Sequence, residues 1–86
     1  MPRICEFFGI VIRMYYNDHA PPHFHAEYAE REAVYEIESL ETPRGRLSRR
    51  AHALVVEWTT LHRAELRDNW IKAREGMVLE RIDPLD

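Results

Sequence analysis

The stretch SRRAHALVVEWTTLHRAELRDNWIKAR, residues 48–74, decides the architecture. After Ser48 it contains no Gly or Pro. Ala51, Leu54, Val55, Trp58, Leu61, His62, Leu66, Trp70 and Ala73 recur in it at spacings of three and four. That recurrence is one apolar stripe along a helix. Ser48 is the expected N-cap, with Pro43 and Gly45 in the turn upstream, and Gly76 is the expected stop. Asp68 and Lys72 add an i,i+4 pair of favourable orientation. A helix over residues 48–75 would be ~40 Å long, more than a small sheet is wide. It is therefore expected to bend, to break near Asp68–Asn69, or to project toward a partner. Beyond it, Met77–Ile82 reads as a last strand or as an extended tail (76–86) packed by Val78, Leu79, Ile82 and Leu85.

Working outward toward the N-terminus, the stripe needs a surface to cover. Ile4–Phe8 reads as a short strand, with Gly9 marking a bulge or tight turn. Ile10–Tyr16 alternates, with Ile10, Ile12, Met14 and Tyr16 on one face and Val11, Arg13 and Tyr15 on the other. Residues 17–22, with Pro21 and Pro22, form a loop, because two prolines remove two backbone donors. His23–Tyr28 alternates again: Phe24, Ala26 and Tyr28 oppose His23, His25 and Glu27. After a turn over Ala29–Glu32, Ala33–Leu40 alternates too. Strands joined by short links pair antiparallel most readily. The sequence thus predicts one α+β domain over residues 1–86. It is an antiparallel sheet of three to five strands (about 3–40) with one long C-terminal helix packed on one face.

Composition narrows the function classes. The chain has 86 residues, 45% hydrophobic and 31% charged, which suits a folded globular chain and not a disordered one. No apolar run approaches the ~20 residues of a membrane span, and the first residues do not read as a signal peptide. Cys5 is the one cysteine, which excludes a disulfide framework and a Cys-based zinc cluster. A cytoplasmic location is expected. The net charge of −3 argues against a general nucleic-acid binder, yet its distribution is uneven. Glu27, Glu30, Glu32, Glu36, Glu38 and Glu41 are opposed by Arg31 alone; Arg44, Arg46, Arg49 and Arg50 follow with no acid among them. An acidic strip beside a basic one reads either as two solvated faces or as contact surface for a polar partner or a second copy.

Two chemistries are open to the histidines. His19, His23 and His25 fall within seven residues, and Glu27 follows on the strand face of His23 and His25. Three imidazoles and a carboxylate suit zinc or another divalent metal with an open coordination position. The second chemistry needs no metal. His23 or His25 beside Arg13 and Tyr15 would move protons while the arginine holds a phosphate, and Arg44, Arg46, Arg49 and Arg50 would receive RNA or a partner. Against both stands a surface histidine row that only stacks on Pro21, Pro22 or Tyr15, with Arg13 paired to Glu27 or Glu36 across the sheet. Trp58, Trp70, His62 and Cys5 read as core or half-buried packing. No glycine-rich phosphate loop, Gly-x-Ser-x-Gly or His-Glu-x-x-His is present.

The run Tyr16-Asn17-Asp18-His19-Ala20-Pro21-Pro22-His23-Phe24-His25 resembles the small bacterial family of domain of unknown function 4160. So do Met1-Pro2-Arg3-Ile4, the stretch from Glu57-Trp58 through Glu65-Leu66 to Asn69-Trp70, and Ile82-Asp83-Pro84-Leu85. The resemblance assigns His19, Pro21, Pro22, His23 and His25 to its Asp-His-x-Pro-Pro-His-x-His motif. It implies a component of a toxin–antitoxin-like pair. The partner would be a small protein of the domain of unknown function 2442 type, with RNA or translation as a target. Three functions therefore stand side by side: a partner-binding component with His-based RNA or phosphodiester chemistry, a divalent-metal-binding protein, and a non-catalytic interaction module. Self-association is open under each.

Overall fold

Short runs of alternating apolar residues build an antiparallel sheet in the computed structural model, which describes residues 2–86. Met1 of the N-terminal run quoted above lies outside the described residues. Among those described, the strands follow chain order: β1 (Arg3–Phe7), β2 (Ile10–Arg13), β3 (His23–Tyr28), β4 (Arg31–Glu36) and β5 (Arg44–Gly45). Phe8 and Gly9 both take positive φ, 49° and 82°, in a two-residue turn that lets Phe7 pair with Ile10. Register then aligns Ile12 with Ala26, Arg13 with His25, and His25 with Val34.

That register sorts the faces. Ile10, Ile12, Met14, Phe24, Ala26, Ala33, Tyr35 and Ile37 are buried, as the alternation requires. They meet Ala51, Val55 and Trp58 from helix α1 (Arg49–Leu61), and Leu66, Trp70 and Ala73 from helix α2 (Arg63–Arg74). Trp58 sits against Phe7 and Phe24 with ring centroids 5.4 and 5.9 Å away, and Trp70 is buried in the same core, so both tryptophans serve packing, as expected. Tyr16 departs from its predicted face. β2 ends at Arg13, and Tyr16 is exposed.

The single long helix of the sequence reading is corrected to two, parting at His62 and not near Asp68–Asn69. The Thr59 and Thr60 hydroxyls donate back to the Val55 and Val56 carbonyls at 2.7 and 2.9 Å, a contact that bends helices. His62 then leaves helical dihedrals (φ −123°, ψ 25°), and its Nδ1 bonds Glu65 Oε1 at 2.6 Å. Arg63 Nε donates to the Ile37 carbonyl at 2.9 Å, tying the new helix to the sheet. The break turns Leu66 and Trp70 onto the core of a molecule only 33 Å in its longest extent.

Asn69 is buried and clips the tail. It donates to the Glu80 carbonyl at 2.8 Å and accepts from the Glu80 N–H at 3.0 Å. The tail runs extended beside β1, where the Ile82 N–H meets the Ile4 carbonyl at 2.9 Å. Ile82 is buried and Leu79 and Leu85 are partly so, but Val78, expected to pack, is 84% exposed. No described helix is long and apolar enough to cross a membrane.

Candidate metal centre

Residues 17–22 fold back over the entrance to β3. Asn17 takes φ 56°, a conformation Asn tolerates, and its N–H reaches the Ala73 carbonyl at the end of α2 (3.4 Å). The Ala20–Pro21 peptide is cis. This path brings Asp18 beside the start of β3. The Asp18 Oδ1 accepts from the His19 N–H at 2.9 Å, which aims Oδ2 at the strand. Oδ2 lies 2.8 Å from His23 Nε2 and 3.6 Å from His25 Nε2.

Both imidazoles are oriented through their other nitrogen. His23 Nδ1 lies 2.8 Å from the Pro21 carbonyl, and His25 Nδ1 lies 3.2 Å from Glu32 Oε2. Each partner accepts, so each Nδ1 donates, and Nε2 is the nitrogen each ring turns toward Asp18. His25 Nε2 is buried with no hydrogen-bond partner. At His23, Nε2 lies 2.8 Å from the Asp18 carboxylate oxygen, a contact that needs a proton or a cation between them. The rings are clamped as well. Trp70 lies 5.1 Å from the His23 ring, and Tyr15 meets the His25 ring edge-on at 4.3 Å.

One ligand atom each from Asp18, His23 and His25 lies within 4.8 Å of the others. Two donors at 2.0–2.1 Å from a tetrahedral ion stand roughly 3.3 Å apart, and the two nitrogen–oxygen separations of 2.8 and 3.6 Å bracket that. Two imidazoles with one carboxylate are a donor set for zinc or ferrous iron that leaves positions open. Burial pushes the Asp18 carboxyl up. The hydrogen bonds from His19 and His23, with the charges of those two rings, outweigh it and hold the group below the usual carboxylate range. It is thus anionic at neutral pH.

The expected ligand set of His19, His23, His25 and Glu27 is only partly assembled. The His19 side chain is 85% exposed, with Nδ1 3.1 Å from Asp18 Oδ1; its ring lies 5.6 Å from that of His23 and lines the same cavity, but it is not one of the three residues whose ligand atoms converge. Glu27 pairs with Arg13 Nε at 3.2 Å. Arg13 stands opposite His25 in register, so the residues of the metal-free reading are neighbours, with Arg13 engaged by Glu27. The Tyr15 phenol is pushed up by burial first and by Glu32 and Glu27 next, which keeps its proton on. Asp18 and Glu32 were missed as site residues. The available signal was Asp18 itself, an Asx residue opening a two-proline loop seven positions before His25.

A cavity of about 200 Å³ opens over the cluster, and Glu36 and Arg44 line it with Asp18, His23 and His25. The basic strip does not converge there. Arg46 and Arg49 border a separate cavity beside Tyr35 and His52, and Arg50 borders a third beside Phe8.

Compared with known proteins, residues 9–71 match the model of a family described as a domain of unknown function, DUF4160. No curated protein and no solved structure matches the chain.

Proposed function

The chain belongs to the family of domain of unknown function 4160, and on that footing we propose that it binds a divalent transition metal through Asp18 Oδ2, His23 Nε2 and His25 Nε2. The observation that carries this reading is the buried, partnerless Nε2 of His25, directed by its Glu32 contact toward the carboxylate shared with His23. A metal-ligating histidine commonly donates its other N–H to a carbonyl or carboxylate, and both rings do so. Zinc held by three protein ligands keeps a position for water or substrate and acts there as a Lewis acid. Metal-free chemistry draws less support, because Arg13 is occupied by Glu27.

Elemental analysis of untagged protein, followed by zinc titration, tests the proposal. Wild type is expected to bind close to one equivalent with Kd below about 10 μM. Asp18→Asn and His25→Gln abolish that binding, while His19→Ala and Glu27→Gln keep it. Glu32→Gln weakens it about tenfold, as loss of an orienting carboxylate does. Wild-type binding weaker than about 10 μM, or equal binding by Asp18→Asn and His25→Gln with unchanged circular dichroism, overturns it.

A further inference from the structure

We infer that the ligand of this centre is a phosphoryl group, one of whose oxygens takes the ion's open position while the others are held by Arg44. This rests on the metal reading above and names the substrate class of the same site. Arg44 lines the cavity that holds Asp18, His23 and His25. Its guanidinium is exposed and has no ion-pair partner among the described residues, as is true also of Arg46, Arg49 and Arg50, but of these four Arg44 alone lines the cavity over Asp18, His23 and His25. A cation left unmatched beside a cluster of ligand atoms, in a chain of net charge −3, points to an anion supplied from outside.

The position of Arg44 is built. β5 is two residues long, and it pairs Arg44 with Val34 and Gly45 with Ala33. Gly45 takes φ 75°, and an added Cβ would overlap the Glu32 carbonyl oxygen. The backbone therefore approaches β4 as only glycine allows, and that approach brings Arg44 over the outer face beside His25 and Val34. Glu32 also orients His25, so one segment supports both the ligand histidine and the arginine.

The chemistry of the two groups selects the anion. A planar guanidinium fork matches phosphate oxygens in pairs. A phosphate or its monoester offers three terminal oxygens, two for the fork and one for the ion, while a carboxylate has two and reaches the ion only by giving up one bond of the fork. Glu36 lines the same cavity, its carboxylate held by the Ser39 hydroxyl at 2.9 Å. Its charge repels a phosphate that arrives without the metal, so anion and metal binding are coupled.

Calorimetric titration of inorganic phosphate into zinc-loaded protein tests this. Loaded wild type is expected to bind phosphate, and metal-free wild type to bind about tenfold more weakly or not at all. Arg44→Gln loses about tenfold in phosphate affinity with zinc affinity unchanged. Arg50→Gln, at a separate cavity, loses none. Phenyl phosphate, a monoester with three terminal oxygens, is expected to bind more tightly in the same assay than dimethyl phosphate, a diester with two, and the reverse order overturns the inference. Zinc binding without phosphate binding overturns the inference and leaves the metal centre standing. So does equal loss in Arg44→Gln and Arg50→Gln, or acetate binding as tightly as phosphate. Absence of zinc binding overturns both, and is read in the zinc titration before phosphate is added.

Discussion

Tyr35 lies buried between Phe24, stacked at 5.7 Å, and His52, whose Nδ1 shares a hydrogen bond with its hydroxyl at 2.8 Å. Burial pushes its phenol up to about 12. In the unfolded chain the same group ionises near 10. Its contribution is therefore fully present below pH 10 and is lost as pH rises from there toward 12, because the unfolded state sheds a proton that the fold retains. Thermal melts across that alkaline window are expected to show wild type losing stability more steeply than Tyr35→Phe. Asp18 illustrates the same scale from the other side. One of its carboxylate oxygens is taken by a backbone N–H, and the other is left to serve two imidazoles.

Among the elements, β5 shows how little sequence a decisive strand needs. Two residues carry no alternation, so 44–45 read only as a turn, and the close approach at Gly45 became visible only once β4 was in place. Gly45→Ala is expected to destabilise by about 2 kcal/mol or more, since it adds both backbone strain and a clash with Glu32. Gly9→Ala should cost about 1 kcal/mol, because at its positive φ the nearest atom is the Tyr28 ring at 3.4 Å. Urea unfolding of the two variants measures the difference. The helical pair follows similar logic. The apolar stripe continues across His62 at helical spacing, so periodicity cannot show a break made by threonine back-bonding and by an arginine drawn to Ile37.

The whole molecule is closed by its tail. Asn69 satisfies both backbone groups of Glu80, and Trp58 Nε1 donates to the Asp83 carbonyl at 2.9 Å. Removing these two part-buried hydrogen bonds costs about 2 kcal/mol. Asn69→Ala is expected to show that loss in urea unfolding. Faster amide exchange at Glu80 and Ile82 than in wild type should accompany it, because both N–H groups are protected by this docking. Ile82 covers part of the core, so the loosening reaches the β1 edge.

Local rules were enough for much of this protein. Period-two alternation marked β3 at its observed bounds and the buried faces of β2 and β4. Period-three-and-four recurrence marked the helical segment and its Ser48 cap, whose hydroxyl accepts from the Ala51 N–H. Strand spacing also placed His23, His25 and Glu27 on one face. Spacing says which way a side chain leaves the backbone, however, and not which charge across the sheet claims it. Arg13 took Glu27, and the loop returned Asp18 in its place. Arg44 likewise stood apart from Arg46, Arg49 and Arg50 only after β5 paired with β4. Those outcomes rest on contacts between residues distant in the chain, and they exist only when the sheet, the doubled-back loop and the broken helix are assembled together.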